Sequence, residues 1–123
     1  MILLVENECA LADVYFALLT LDGYNVSVAR NGLDALKQIR WQRPELIIVS
    51  DWRMPGIDGI ELCRRVRHTP TSCTIPILLM GGSWPGFNKD APFDAFVQKP
   101  FPVETLLDNV RALTSALAFD ERR

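Results

Sequence analysis

The fold is decided by the stretch Leu46-Ile47-Ile48-Val49-Ser50-Asp51, which is followed at once by Trp52-Arg53-Met54-Pro55-Gly56. Four consecutive apolar residues between turn signals are typical of a strand buried on both faces. Pro55 fixes φ and Gly56 permits a positive φ, so a turn follows the strand. Asp51 is therefore placed at the rim of a sheet, where open α/β folds have their ligand sites. Taken alone, Asp51 is better explained as a loop-capping carboxylate, but features after the first and last strands favour a site.

The composition is that of an ordinary globular domain. The chain has 123 residues, of which 49% are hydrophobic and 23% are charged, and its formal net charge is −2. This length predicts one domain, residues 1–123. The charge offers no basic field to nucleic acid or to an anionic membrane surface, and no segment reaches the length of a membrane span. Three cysteines without a Cys-x-x-Cys pair fit reduced thiols, so we expect a cytoplasmic protein.

Strand-like and helix-like segments alternate along the chain. Strand patterns cover residues 1–5, 24–29, 46–50, 75–80 and 93–98. Helical spacing covers residues from about 9 to 22, from 31 to before 44, from 58 to about 66, and from 102 onward. Asn31 and Asp58 are predicted N-caps, and Glu61 completes a capping-box spacing with Asp58. This alternation predicts a doubly wound, parallel five-stranded sheet with helices on both faces.

Apolar residues at helical spacing predict the buried faces of the first and last helices. The predicted faces are Leu11, Val14, Leu18 and Leu21 in the first helix, and Val103, Leu106, Leu107, Val110 and Leu113 in the last. Residues 81–95 are rich in Gly and Pro, which are poor helix formers. The fourth helix of a regular alternation is therefore expected to be short, irregular or missing.

Polar residues follow several of the predicted strands directly. Glu6-Asn7-Glu8 follow the first strand, Asp51 the third, Gly81-Gly82 the fourth and Lys99 the fifth. Right-handed crossovers bring the carboxyl ends of parallel strands to one edge of the sheet. Carboxylates gathered there suit a hard cation such as Mg²⁺, and a strand-end Asp can act as a nucleophile toward a phosphoryl group. Metal and Lys would neutralise the negative charge that develops during such a transfer.

With these motifs the chain resembles the receiver domains of two-component response regulators over essentially its full length. The resemblance rests on Ile2 to Glu8, on Asp51-Trp52-Arg53-Met54-Pro55-Gly56-Ile57-Asp58-Gly59, and on Lys99-Pro100-Phe101. It implies a flavodoxin-like fold, in agreement with the pattern of strands and helices.

The resemblance also implies residue roles. Asp51 would be the phosphoacceptor, and Lys99 would contact the acyl phosphate. Glu6, Asn7 and Asp51 would hold Mg²⁺ together with the backbone carbonyl of Arg53. The Lys99-Pro100 peptide bond is a candidate for the cis form.

Two positions depart from the family pattern. Asn7 replaces the Asp that is normally the principal metal ligand, so the resemblance predicts weaker Mg²⁺ binding. Gly81 stands where strand four normally ends in Thr or Ser, and Phe96 holds the partner aromatic position, often Tyr. Since neither Gly nor Phe has a hydroxyl group, the usual switch that responds to phosphorylation lacks its hydrogen-bonding groups.

The resemblance implies a phosphoacceptor that receives its phosphoryl group from a sensor histidine kinase or a phosphotransfer protein. It is not expected to be an enzyme beyond self-catalysed phosphorylation and dephosphorylation, and a homodimer is possible. Asn7 and Gly81 keep open the alternative of a pseudo-receiver, an interaction module that works without phosphorylation. A flavodoxin-like cofactor binder ranks lower, because the anionic residues Glu6 and Glu8 would repel a phosphate group.

Overall fold

The computed structural model describes residues 1–40, 46–85 and 92–121. Five parallel strands form one sheet in the order β2-β1-β3-β4-β5, which confirms the predicted fold class. The strands are β1 Ile2–Val5, β2 Val26–Ala29, β3 Ile47–Asp51, β4 Ile77–Gly81 and β5 Ala95–Gln98. The helices are α1 Cys9–Leu21, α2 Gly32–Ile39, α3 Gly59–His68 and α4 Val103–Glu121.

Two hydrophobic cores lie on opposite faces of the sheet. Ile2 and Leu4 of β1 point to the core beneath α1 and α4, whereas Leu3 and Val5 point to the core beneath α2 and α3. This alternation follows from the two-residue period of a strand. Because both faces are covered, the central strands β1, β3 and β4 are buried at every position, as the continuous apolar runs in the sequence predicted.

The two predicted N-caps are confirmed. Asn31 Oδ1 accepts a hydrogen bond from the backbone N–H of Asp34 at 2.8 Å, and Asp58 Oδ1 accepts one from Glu61 at 2.8 Å. The carboxylate of Glu61 pairs with Arg65 at 3.1 Å, so the structure shows the Asp58 half of the capping box. Each cap satisfies an N–H group that the first turn of its helix leaves without an intrahelical partner.

The predicted buried face of α1 is confirmed at Leu11, which packs against the core, and is wrong at Val14 and Leu21. The residues that α1 buries are Ala12, Tyr15 and Leu19, whereas Val14 is 52% and Leu21 is 84% exposed. Apolar residues surround much of this helix, so their spacing could not select one face. The error is a rotation by one residue, because Tyr15 and Leu19 directly follow Val14 and Leu18.

The predicted face of α4 is largely confirmed. Leu106, Leu107 and Val110 are buried, and Leu113 packs against the same core. Val103, at the start of the helix, is 44% exposed and corrects the prediction at that end. Val103 instead lines a surface groove together with Leu11 and Tyr15 of α1.

Several strand bounds differ from the sequence prediction in ways that position the site. Strand β4 begins at Ile77, after Pro76, whose carbonyl accepts a hydrogen bond from the N–H of Ile48 at 2.9 Å. Strand β3 extends to Asp51, which is paired with Met80 in the ladder. Asp51 is therefore the last residue of a central strand. Residues 82–85 and 92–94 between β4 and β5 are not helical, and residues 86–91, including Phe87, lie outside the described residues.

Candidate functional site

Asp51 is held at the carboxyl edge of the sheet by backbone contacts on both sides. The N–H of Trp52 donates to the Met80 carbonyl at 2.7 Å and lies 3.1 Å from Asp51 Oδ1. The N–H of Gly59, the first residue of α3, donates to the Trp52 carbonyl at 2.7 Å. A Cβ atom at Gly59 would collide with the Asp51 carbonyl, so only Gly lets the helix start this close. Asp51 is only 9% exposed, so its carboxylate is largely buried at the edge of the sheet.

Lys99 connects two carboxylates that come from different strands. Its Nζ lies 3.0 Å from Asp51 Oδ1 and 3.4 Å from Glu6 Oε1. Its backbone N–H donates to the Gly81 carbonyl at 2.7 Å, which fixes the start of the side chain, and the Lys99-Pro100 bond is cis. The structure thus brings together Glu6, Asp51 and Lys99, three residues that the sequence placed at one edge.

The electrostatics of this cluster follow from burial and from the shared cation. Burial raises the pKa of Glu6, and the Asp51 carboxylate raises it further, while Lys99 and the Glu8 N–H partly offset both effects. Burial opposes the charge on Lys99, but the hydrogen bond and charge of Asp51, together with Glu6, leave the pKa of Lys99 raised. When both carboxylates are ionised, the cluster carries one negative charge more than Lys99 neutralises. It can therefore attract a further cation.

The remaining predicted metal ligands lie next to this cluster. Asn7 follows Glu6 directly and is exposed, and Arg53 is two residues after Asp51. The guanidinium of Arg53 stacks on the Trp52 ring at 4.3 Å, so its side chain is engaged there. As predicted from the sequence, oxygen donors from Glu6, Asp51, Asn7 and the Arg53 carbonyl would make a set that suits Mg²⁺. Within the described residues, no group of three or more His, Cys, Asp or Glu side chains could hold a metal ion.

The two switch positions lie in an aromatic environment. Gly81 ends β4, and a Cβ atom there would lie 3.1 Å from Trp52 Cε3 and 3.3 Å from Phe96 Cε2. The Phe96 ring in turn contacts Trp84 edge to face, with their centroids 5.2 Å apart. Aromatic rings therefore fill the space in which a side chain at position 81 would lie.

The sequence analysis missed Tyr15 as a neighbour of the site. Its ring is 7% exposed, and its centroid lies 5.8 Å from Lys99 Nζ. The error in the predicted face of α1 explains why Tyr15 was missed, because Val14 was predicted to point toward the core where Tyr15 does. A tyrosine among apolar residues at positions 12, 15 and 19 was the signal that could have found it.

Comparison with protein families identifies the type of domain that this site belongs to. The model of the response regulator receiver domain matches residues 2–111. Among curated proteins, the chain is 34% identical over 122 residues to the response regulator MprA of Mycobacterium sp. (strain KMS), covering 98% of this chain and 53% of the relative. It is 35% identical over 114 residues to MprA of Mycobacterium ulcerans, covering 91% of this chain and 49% of that protein. The chain thus spans about half the length of these curated relatives.

Solved structures show the same architecture. The signal receiver domain of a histidine kinase from Syntrophus aciditrophicus superposes with a TM-score of 0.82 at 30% identity, covering 94% of this chain and 89% of that one. The receiver domain of the sensor histidine kinase PA1611 from Pseudomonas aeruginosa gives 0.81 at 26% identity, covering 93% and 96%. That structure has a magnesium ion coordinated in its active-site cleft.

Proposed function

Because this chain belongs to the response regulator receiver domain family, we propose that Asp51 accepts a phosphoryl group from a histidine kinase or a phosphotransfer protein in two-component signalling. The observation that supports this most is the contact of Lys99 Nζ with Asp51 Oδ1 at 3.0 Å, with Glu6 beside both residues. A nucleophilic carboxylate, a fixed cation and a second carboxylate are what a phosphoryl acceptor site needs.

Transfer consists of one bond formed and one bond broken. A carboxylate oxygen of Asp51 attacks the phosphorus, and the bond from phosphorus to the donor's imidazole nitrogen breaks, with its electron pair leaving on that nitrogen. Lys99 offsets the negative charge that accumulates on the phosphoryl oxygens during this step. We expect any catalysis by the chain to be limited to its own phosphorylation and dephosphorylation.

We propose four oxygen donors for Mg²⁺. Glu6, Asp51, the Asn7 amide oxygen and the Arg53 carbonyl would hold the ion, and the repulsion between Glu6 and Asp51 favours its binding. When bound, Mg²⁺ supplies further positive charge to the phosphoryl oxygens. Asn7 contributes an amide in place of a carboxylate, so we expect the affinity to be low.

Two other predictions from the sequence have different outcomes. The pseudo-receiver alternative gains no support, because Lys99 contacts both Asp51 and Glu6, as an acceptor site requires. A homodimer stays a prediction. Among the described residues, no helix is long and apolar enough to span a membrane.

Intact-mass spectrometry after incubation with acetyl phosphate and Mg²⁺ tests the function. We expect one phosphoryl adduct on the wild type, its loss in Asp51→Ala, and its retention in Asp13→Ala, which removes an exposed carboxylate of α1. An adduct of equal yield on Asp51→Ala would refute the assignment, and so would the lack of any adduct on the folded wild type.

A further inference from the structure

Tyr15 lies beside the acceptor site, but none of the roles assigned above uses it. It belongs to α1, an element that contributes none of the proposed acceptor or metal-binding residues. Its ring stacks on Phe101 with centroids 6.0 Å apart and planes 20° from parallel. Tyr15 and Lys99 also line the same groove, of about 410 Å³, between α1 and the start of α4. The Tyr15 ring therefore contacts both Phe101 and Lys99.

We propose that Tyr15 is a positioning residue for Lys99, which it holds within reach of Asp51 and of the phosphoryl group that Asp51 receives. This inference rests on the proposed function of Asp51. An apolar side chain would be enough for core packing at this position. The buried phenol group of Tyr15 therefore indicates a further role.

The first contact is between the ring and the ammonium group. Lys99 Nζ lies 5.8 Å from the centroid of Tyr15, within the range of cation–π attraction. Lys99 has a flexible stem of four carbons, and its side chain is 23% exposed. A rigid, buried ring reduces the number of positions that the ammonium group can adopt.

The second contact is polar. Lys99 has three N–H donors and no acceptor, and Asp51 and Glu6 each accept from it. Burial raises the pKa of Tyr15, although the charge of Lys99 and a hydrogen bond with it act in the opposite direction. The Tyr15 phenol is therefore an uncharged polar neighbour of the Lys99 ammonium group, in addition to the ring contact.

An uncharged polar neighbour suits this place better than a third carboxylate. Glu6 and Asp51 already repel each other, and a further negative charge would increase that repulsion. When Asp51 receives a phosphoryl group, some N–H groups of Lys99 have to form hydrogen bonds with the phosphoryl oxygens instead. Tyr15 keeps the ammonium group anchored during this change, because its own contacts are with the core and are unaffected by the reaction.

Phosphorylation rates with acetyl phosphate and saturating Mg²⁺ test the proposal. Tyr15→Phe keeps the ring and removes the hydroxyl, and we expect it to slow phosphorylation of Asp51 about threefold. Tyr15→Leu removes both contacts, and we expect a decrease of about tenfold. Tyr24→Phe is the matched control, because it removes the hydroxyl of the other tyrosine, which packs against the same core outside the site. We expect it to leave the rate unchanged.

A double-mutant cycle separates positioning from packing. If Tyr15 acts through Lys99, Tyr15→Phe has no effect on the rate in a Lys99→Met background. An equal effect of Tyr15→Phe in both backgrounds would overturn the proposal, because a packing role does not depend on Lys99.

NMR of the Lys99 side chain provides a test that does not depend on phosphorylation. In Tyr15→Leu we expect the chemical shift of the Lys99 Cε methylene group to change and its NMR order parameter to decrease. In Tyr24→Phe we expect both quantities to stay unchanged. Unchanged Lys99 signals in folded Tyr15→Leu would overturn the proposal. If the wild type forms no phosphoryl adduct, the proposed function fails, and the NMR result still decides whether Tyr15 holds Lys99.

Discussion

The carboxyl edge of the sheet has two halves of opposite character. The acceptor half consists of Glu6, Asp51 and Lys99, which are charged, partly or fully buried and in contact. The aromatic half consists of Trp52, Gly81, Trp84 and Phe96, which are packed ring against ring or ring against backbone. The halves meet at the peptide bond between Asp51 and Trp52.

This contrast indicates that accepting a phosphoryl group and responding to it have different structural requirements. The acceptor half has a nucleophile and a cation at 3.0 Å and needs no movement to bring them together. A response requires a group that gains a contact when Asp51 is modified, and neither Gly81 nor Phe96 has a hydroxyl that could do so. We therefore expect chemistry at Asp51 with little movement in the aromatic half.

The largest expected effect comes from adding a side chain to the aromatic half. Gly81→Thr places a Cβ atom 3.1 Å from Trp52 and 3.3 Å from Phe96, so the rings have to move. We expect the free energy of unfolding to fall by about 2 kcal/mol, as is typical of overpacking. Gly82→Thr is the matched control, because a Cβ atom there meets no atom within 4 Å.

Urea denaturation of the two variants measures this difference. Equal free energies of unfolding for Gly81→Thr and Gly82→Thr would show that the Trp52 and Phe96 rings move aside without loss of stability. The aromatic half would then not be tightly packed. If Gly81→Thr folds, its hydroxyl group restores a donor at the switch position, and a larger response to phosphorylation is expected from it.

The next effect is on the acceptor half and its metal. Asn7→Asp adds a carboxylate next to Glu6, and we expect roughly tenfold tighter Mg²⁺ binding from the added charge. Calorimetric titration with Mg²⁺ measures this change, and Glu8→Gln, at an exposed position with no side-chain cap bond, is the control. Unchanged or weaker binding in Asn7→Asp would place Asn7 outside the metal site.

The smallest effect is a dependence of stability on pH. The pKa of Glu6 is raised above 4.5 in the folded protein, chiefly by burial and then by Asp51. Between 4.5 and the raised pKa the folded state binds more protons than the unfolded state, so stability falls as pH rises through this range. Glu6→Gln removes the buried charge, and we expect it to raise the free energy of unfolding at pH 7 by about 1 kcal/mol.

Unfolding in the presence of EDTA, measured from about pH 4 to about pH 7, tests this dependence. The curves for the wild type and Glu6→Gln should diverge as pH rises, whereas Glu8→Gln should follow the wild type. Curves that stay parallel would show that the charge of Glu6 costs nothing on folding.

Much of the acceptor half could be predicted from the sequence, because it depends on local rules. The buried strands are continuous apolar runs, and parallel strands end at one edge, so Glu6, Asp51 and Lys99 had to meet there. Caps at Asn31 and Asp58 followed from their spacing. These features depend on the order of residues along the chain, which can be read directly from the sequence.

The aromatic half and Tyr15 could not be predicted in the same way. The position of the Trp52 ring over Gly81 is a contact between different elements, to which no local pattern corresponds. The face of α1 depends on small differences among apolar residues on several sides of the helix, and packing against Phe101 selected Tyr15. Tertiary packing overrides local periodicity where the periodicity is ambiguous.

Hydrogen exchange with and without beryllofluoride and Mg²⁺ tests most directly whether the two halves are uncoupled. We expect exchange to slow in residues 2–8, 47–53 and 99–102, which contain or adjoin the acceptor half, because the bound mimic adds contacts there. We expect little change in residues 77–85 and 92–98. Strong protection across 77–85 and 92–98 in the unmodified chain would contradict the account, because a switch without the usual hydroxyl groups would then couple the aromatic half to Asp51.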